Sequence, residues 1–315
     1  MLSNSIDVDE AMINAAMKDD HPAAILFDFE AAFPSVDHDF IVDVLVSRGW
    51  PTWLVNIIRL LYWNNCCCLS LGGVYVEGFS ISAGVRQGCP LSPLLFAFTS
   101  DVLLRKLARH APNALIRAYA DDIAIVLKNY KADTSALELV FHEYGSIFCL
   151  KLNYGKCVWI PLVLKSTDES RLEISDPASS WSCFTINGHG TYLGFAIGPE
   201  RDSHSWDKAV VKMRDRAKVW RAIGGGMLVS ISAYRMYVSP LAGFLLQLEN
   251  LPPTWDNLQR QLCTTLFPGP RGWMIPQVMA SLKELSFPVE VSDACAISMA
   301  ARCRVRVWEN AAYGA

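Results

Sequence analysis

The chain has 315 residues, 52% of them apolar, with a formal charge of −3 and a mean hydropathy of +0.22. That is enough apolar material for a large core in about two domains, and it excludes a disordered tail. The charge is unevenly spread: residues 1–50 hold ten Asp and Glu against two Lys and Arg, and the remainder carries a surplus of five positive charges, so net acidity does not exclude a polyanionic partner.

The opening MLSNSIDVDEAM is acidic and has no basic stretch followed by an apolar one, which predicts that no secretory leader is present. The segment AAILFDF (23–29) reads as a short buried strand ending in a charge, Asp28. Ser35 is the expected N-cap of a helix running to about Arg48, stopped by Gly49 and Pro51. Thr52 is the expected cap of a second helix to about Trp63, with Trp53, Ile57, Leu60 and Leu61 sharing its apolar face.

Residues 68–83 predict a hairpin turning at Gly72-Gly73. The Gly- and Pro-containing loop GVRQGCPLSP (84–93) leads into a helix from about Pro93 to His110. Strands at 114–120 and 123–128 flank Asp121-Asp122, a helix near 133–149 follows, and KLNYGK (151–156) comes after it. The Ser- and Asp-rich stretch 165–182 reads as a polar loop or linker, and TYLGFAIG (191–198) as a further strand. Beyond it the pattern is helical, broken by Gly224-Gly225-Gly226, Pro252-Pro253 and Pro268-Gly269-Pro270.

No apolar run reaches the roughly 18 residues of a membrane span; the stretch Leu241 to Leu248 is among the longest. Ten cysteines, three of them consecutive at Cys66, Cys67 and Cys68, follow neither a disulfide framework nor a paired C-x-x-C pattern. The expectation is a reduced, intracellular chain of cytoplasm, nucleus or both, with no membrane contact.

Two adjacent aspartates between apolar strands pose a physical question, because carboxylates crowded in a partly desolvated turn repel one another. Either water bathes the turn or a cation neutralises it. If Asp28 comes to the same sheet end, three carboxylates converge, and a hard all-oxygen donor set favours magnesium or manganese. Two such ions suit nucleotidyl transfer, since they activate a hydroxyl and stabilise leaving pyrophosphate. A solvated Asp turn remains the alternative for the tetrapeptide alone.

The blocks FDFEAAFPSVDH (27–38), GVRQGCPLSPLLFAF (84–98), YADD (119–122), KLNYGK (151–156) and YLGF (192–195) stand in one order. In that order and spacing the chain resembles the reverse transcriptase domain of non-LTR, LINE-type retroelements, and is similar to group II intron proteins, over about residues 20–200. The resemblance implies an α+β polymerase palm, an antiparallel sheet packed on helices, with partial fingers and a helical thumb-like C-terminal lobe. It implies a palm with residual fingers over 1–164, a loop or linker over 165–182, a primer-grip-like strand region over 183–200, and the thumb-like and connection region over 201–315.

Carried onto this sequence, the resemblance makes Asp28 and Asp121 ligands of two magnesium ions, with Asp122 as supporting carboxylate and the Phe29 carbonyl as a further ligand. It makes Phe33 the aromatic that closes against the sugar 2′ position. Arg86, Gln87 and Gly88 border the incoming nucleotide, where Arg86 has the forked donor that phosphate suits, and Lys156 stands near the pyrophosphate. Tyr119, Tyr192, Leu193 and Gly194 are assigned to primer and template. Farther on, Trp206, Val210, Met213, Ala217 and Trp220 form an apolar helix stripe, while Lys208, Lys212 and Arg216 lie on other faces able to follow a phosphate backbone.

The implied activity is RNA-directed DNA polymerase, acting on an RNA template, a DNA primer and deoxynucleoside triphosphates. Two departures stand against it: Pro34 takes the place of a second Asp in the first block, and only Lys18 among Lys and Arg precedes Asp28, where family members carry cationic fingers strands. A portion of a longer element protein is expected, and a catalytically inactive nucleic-acid-binding remnant is the alternative.

Overall fold

The structure, a computed structural model, describes residues 1–148, 150–163, 179–267, 269–270, 273–289, 291 and 293–313. The linker expected at 165–182 lies outside the described residues except for its end, where Ser180–Cys183 makes one 3₁₀ turn around buried Trp181. The chain divides into two compact units, one of Ser3–Leu193 with Ile197–Glu200 and one of Gly194–Ala196 with Arg201–Ala315.

The first unit is organised by strand β1 (Ala23–Phe27), all five of whose residues are buried. Its unbroken apolar run is what a central strand requires, because both faces are covered. Strands β4 (Leu115–Tyr119), β5 (Asp122–Leu127), β6 (Val158–Pro161) and β7 (Thr185–Ile186) complete a sheet of order β4-β5-β1-β6-β7, antiparallel except for the β6–β7 pair. One face packs Ile25, Phe27, Ile123, Ile125 and Trp159 against helices α3 (His38–Ser47), α5 (Ser92–His110) and α6 (Tyr130–Phe148). The other buries Ala24, Leu26, Ala124, Val126 and Ile160 beneath helix α1 (Leu2–Lys18) and the side chains of Tyr192, Leu193 and Ile197.

Several local expectations are corrected. Helix α1 was not anticipated; Val8, Met12 and Ala15 recur at steps of four and three and bury one face. Ser35 ends a one-turn helix, α2 (Ala32–Ser35), and its hydroxyl donates to the Ala31 carbonyl. The cap of α3 is Asp37, which accepts from Phe40 N at 2.9 Å. Pro51, not Thr52, stands at the cap of α4 (Thr52–Tyr62).

That helix also turns the unexpected way. Val55, Ile58 and Tyr62 face the core, whereas Trp53, Ile57, Leu60 and Leu61 are exposed. Strand β6 was missed, and TYLGFAIG is not one strand but two, β8 (Gly190–Tyr192) and β9 (Phe195–Ile197), parted by Leu193 and Gly194 at positive φ. The expected hairpin forms from β2 (Cys66–Leu71) and β3 (Val74–Ser80), with Gly72 and Gly73 at φ 58° and 85°, as a two-residue turn demands. Leu69, Leu71, Val74 and Val76 share one face of it and meet solvent.

The second unit is helical. Helix α7 (Ser205–Ile223) buries Trp206, Met213 and Ala217, with Val210 and Trp220 half-buried beside them, so the apolar stripe is its inward face. It packs on α10 (Trp255–Leu266) through Trp206 and Trp255, ring centroids 5.6 Å apart. The chain leaves α7 through Gly224 at φ 70° and continues as α8 (Gly226–Ala233), a π turn at Tyr234–Val238 and α9 (Pro240–Gly243). Helices α11 (Pro276–Ala280) and α12 (Ala294–Tyr313) follow α10. Among the described residues no helix is long and apolar enough to cross a membrane.

Candidate nucleotidyl-transfer site

The pairing of β1 with β5 brings the acidic residues together. Phe27 stands across from Ile123, so the next step of the same antiparallel register sets Asp28 beside Asp122. Both continue the face of Leu26 and Ala124, because side chains alternate along a strand. On the other side of β5, Tyr119 pairs with Asp122, leaving Ala120-Asp121 as a two-residue turn with Ala120 at φ 53°. A non-glycine residue held there stores on the order of 1–2 kcal/mol of strain, a feature that clusters at functional sites.

The backbone around Asp28 is fixed from below by KLNYGK. Asn153 N donates to Asp28 O at 2.8 Å, Glu30 N donates to Lys151 O at 2.9 Å, and Phe29 bridges to Leu152. Under this junction lies Cys157, fully buried, whose thiol is pushed up to about 11, mainly by burial and further by the charge of Asp28. It is a neutral packing group there, not a nucleophile.

The electrostatics of the cluster are those of crowded negative charge beside an ion pair from Lys156 to Asp28. Asp122 is exposed overall, but partial desolvation raises its carboxyl from the ordinary value, and the charges of Asp121 and Asp28 raise it further. Oδ2 of Asp28 has no solvent contact and accepts no hydrogen bond; Lys156 Nζ lies 3.7 Å from it. A carboxylate oxygen sealed from water without a hydrogen bond is costly. The three side chains are neighbours, not a finished cage: among the described residues no three His, Cys, Asp or Glu groups stand close enough to enclose an ion. An all-oxygen set with one oxygen lacking a hydrogen bond and with mutual repulsion fits a hard divalent cation whose remaining ligands come from water or substrate phosphate.

A carboxyl that holds its proton more tightly when folded favours folding at acid pH. That contribution fades as pH rises through the folded value, above which the ionised group opposes folding. Asp122→Asn is therefore expected to raise the unfolding temperature of the cation-free chain at neutral pH, and the gain should shrink to nothing below the carboxylate range. Thermal unfolding in chelator across pH reads this; a lower unfolding temperature at neutral pH would contradict it.

Phe33 is half-buried and stacks on Phe96 of α5, centroids 4.4 Å apart. It is held against the following loop by Val85 N to Phe33 O (2.9 Å) and Gly84 N to Val36 O (2.7 Å). Gly84 is required there: its φ is 94°, and a Cβ would come within 2.6 Å of Pro34 O. Gln87 and Gly88 are exposed on that loop. Arg86 is engaged in the protein, donating to Leu61 O at 2.7 Å and to Asn65 Oδ1, with the Tyr62 ring beneath it.

Tyr119 is exposed at the turn, whereas the side chains of Tyr192 and Leu193 are 2% and 5% exposed. The buried phenol of Tyr192 is pushed up to about 12 by desolvation, with the Asp122 charge adding and Asn4 and Arg117 opposing. Asn4 and Asp7, on a helix that the sequence reading passed over, reach this corner: Asn4 Nδ2 donates to Ala118 O at 2.9 Å and Arg117 Nε to Asp7 Oδ2 at 2.8 Å. The step of Asn4, Val8, Met12 and Ala15 was the available signal. In the second unit Lys208 and Lys212 are exposed one turn apart, while Arg216 Nη1 donates to Tyr237 O at 2.7 Å.

The family model described as reverse transcriptase (RNA-dependent DNA polymerase) matches residues 6–197. Over 136 residues the chain is 34% identical to the retrovirus-related Pol polyprotein from type-2 retrotransposable element R2DM of Drosophila melanogaster, a match covering 41% of this chain and 13% of that protein. Over 182 residues it is 30% identical to the Pol polyprotein from type-1 retrotransposable element R2 of Nasonia vitripennis, covering 54% of this chain and 17% of that one. The chain thus spans under a fifth of these relatives. Apo telomerase from Candida tropicalis is similar at 13% identity and a TM-score of 0.49, over 89% of this chain and 45% of that one.

Proposed function

Because this chain belongs to the reverse transcriptase family, we propose that it is an RNA-directed DNA polymerase, joining deoxynucleoside triphosphates to a primer 3′-hydroxyl on an RNA template. The observation that carries the proposal is the register that sets Asp28 beside Asp122 at the Ala120-Asp121 turn, leaving an oxygen of Asp28 without a hydrogen bond. Asp28, Asp121 and the Phe29 carbonyl would hold magnesium, or manganese, with Asp122 in support. Such ions, when bound, make the primer hydroxyl a better nucleophile and stabilise the departing pyrophosphate.

The remaining roles fall to the chain itself. Phe33, braced on Phe96, restricts the sugar pocket by volume, since a flat ring offers the 2′-hydroxyl no hydrogen bond. Gln87 and Gly88 border the nucleotide from a loop anchored by Gly84. Lys156 screens Asp28 until a cation takes that charge, after which its ammonium group is available to the triphosphate. Lys208 and Lys212 supply phosphate contacts that position nucleic acid without reading its sequence.

The test is primer extension on an RNA template with magnesium. Incorporation that requires the RNA strand and disappears in chelator is expected. The engagement of Arg86 by Leu61 and Asn65 favours a second reading, a nucleic-acid binder short of cations for the triphosphate. Salt-sensitive RNA retention with no incorporation at any magnesium concentration would establish that reading instead.

A further inference from the structure

We propose that Cys157 is a positioning residue for the acidic site: its thiol grips both backbone polar groups of Asp28 and so sets the direction in which the Asp28 carboxylate leaves the tip of β1. This rests on the reading of Asp28 as a cation ligand. It gives a buried side chain, beyond its packing, a part in holding that ligand still.

The pairing of β1 with β6 ends at Leu26 and Val158, short of Asp28. Beyond that pair β6 gives way to the turn of KLNYGK, and Cys157 stands at the junction. Its own backbone is engaged elsewhere: the amide donates to Asn153 O at 3.1 Å, and the carbonyl accepts from Thr185 N at 3.0 Å. The side chain makes the connection to β1. Asp28 N donates to Cys157 Sγ at 3.5 Å, and the thiol donates to Asp28 O at 3.8 Å. Asn153 N donates to the same carbonyl at 2.8 Å, and Lys156 Nζ lies 3.7 Å from the Asp28 carboxylate. One short loop thus holds the amide, the carbonyl and the side chain of a single residue.

Chemistry separates this from simple packing. Cys157 is 0% exposed, so the backbone groups that meet its sulfur are turned away from water and need partners inside the protein. A thiol is at once a weak donor and a weak acceptor. One sulfur atom therefore serves the N–H and the C=O of the same residue, where an aliphatic side chain would occupy the space and serve neither. Pinning the two peptide units that flank the Asp28 Cα leaves its Cα–Cβ bond little freedom to swing. Outer partners that fix a ligand in this way govern how well a carboxylate binds metal, because less ordering is left for the binding step.

The experiment is a manganese titration of the full chain followed by electron paramagnetic resonance, with no nucleic acid present. Cys157→Ala, which removes the sulfur from both contacts, is expected to weaken manganese binding about tenfold. Cys157→Ser keeps a donor and an acceptor at the position and is expected to recover most of that loss, even where its hydroxyl, in a sealed site, lowers the unfolding temperature as much as alanine does. Packing alone would make affinity follow stability, with serine no better than alanine. Hydrogen exchange needs no variant to fold: the Asp28 amide of the wild type is expected to be protected, and exchange at the rate of a free peptide overturns the clamp. Affinity unchanged in Cys157→Ala, or no tighter in Cys157→Ser than in Cys157→Ala, overturns the role of Cys157 and leaves the cation site standing. A wild-type chain that binds manganese no more tightly than Asp28→Asn overturns both.

Discussion

Asp121→Asn is expected to cut magnesium-dependent primer extension by about a thousandfold, the scale on which removal of one preorganised charge-stabilising group acts. The exchange keeps the size of the side chain, removes its charge and replaces one acceptor oxygen with an NH2 donor. Asp121 sits in a partly exposed two-residue turn, so no core contact is lost. Removing one of three crowded carboxylates relieves repulsion on Asp122, and the unfolding temperature should hold or rise in chelator. Lost extension with preserved folding and preserved RNA retention therefore isolates the cation site. Extension at the wild-type rate in this variant would sink the assignment of that turn.

Trp159→Ala is expected to cost about 3–5 kcal/mol, the usual range for emptying a large aromatic site in a core. Trp159 is 1% exposed, stands across from Ile25 in the β1–β6 ladder, and meets the edge of Tyr130 with centroids 5.6 Å apart. The void would open next to the strand that delivers Asp28, so extension should fall with stability. Urea unfolding reads the effect as a lower midpoint with an unchanged slope. A loss below about 1 kcal/mol would mean that Val158–Pro161 is not a buried strand of this sheet.

Some features were legible in the sequence because a short window settles them. A run of five apolar residues ending in a charge can serve as a central strand with a functional tip, and AAILFD does so. Gly72-Gly73 admits little but a tight hairpin turn, and the helix after GVRQGCPLSP begins within a residue of where it was expected. The α+β palm and the family follow from ordered blocks, each a local pattern.

Other features were illegible for a common reason. The helix TWLVNIIRLLY is apolar around most of its circumference, so periodicity does not choose a face; packing against α3 chose Val55, Ile58 and Tyr62. Ser35 and Asp37 are both able caps, and only the short turn Ala32–Ser35, which uses up the first, leaves the second at the helix start. The break in TYLGFAIG depends on Leu193 at φ 48°, a conformation that no leucine advertises. Helix α1 carries only a narrow apolar stripe in an acidic segment, too weak to be read without the sheet face that it covers.

Chemical identity along the chain was enough to nominate Asp28, Asp121 and Asp122 and to say that such a group needs a cation. Which partners surround them was decided in three dimensions. The β1–β5 register sets Asp28 beside Asp122, the 151–156 loop brings Lys156 to Asp28, and α1 and β8 carry Asn4 and Tyr192 to the same face. Those residues are far apart in sequence, and their meeting depends on which strand faces are buried together. A long-range ladder is fixed by that burial, and no local window contains it.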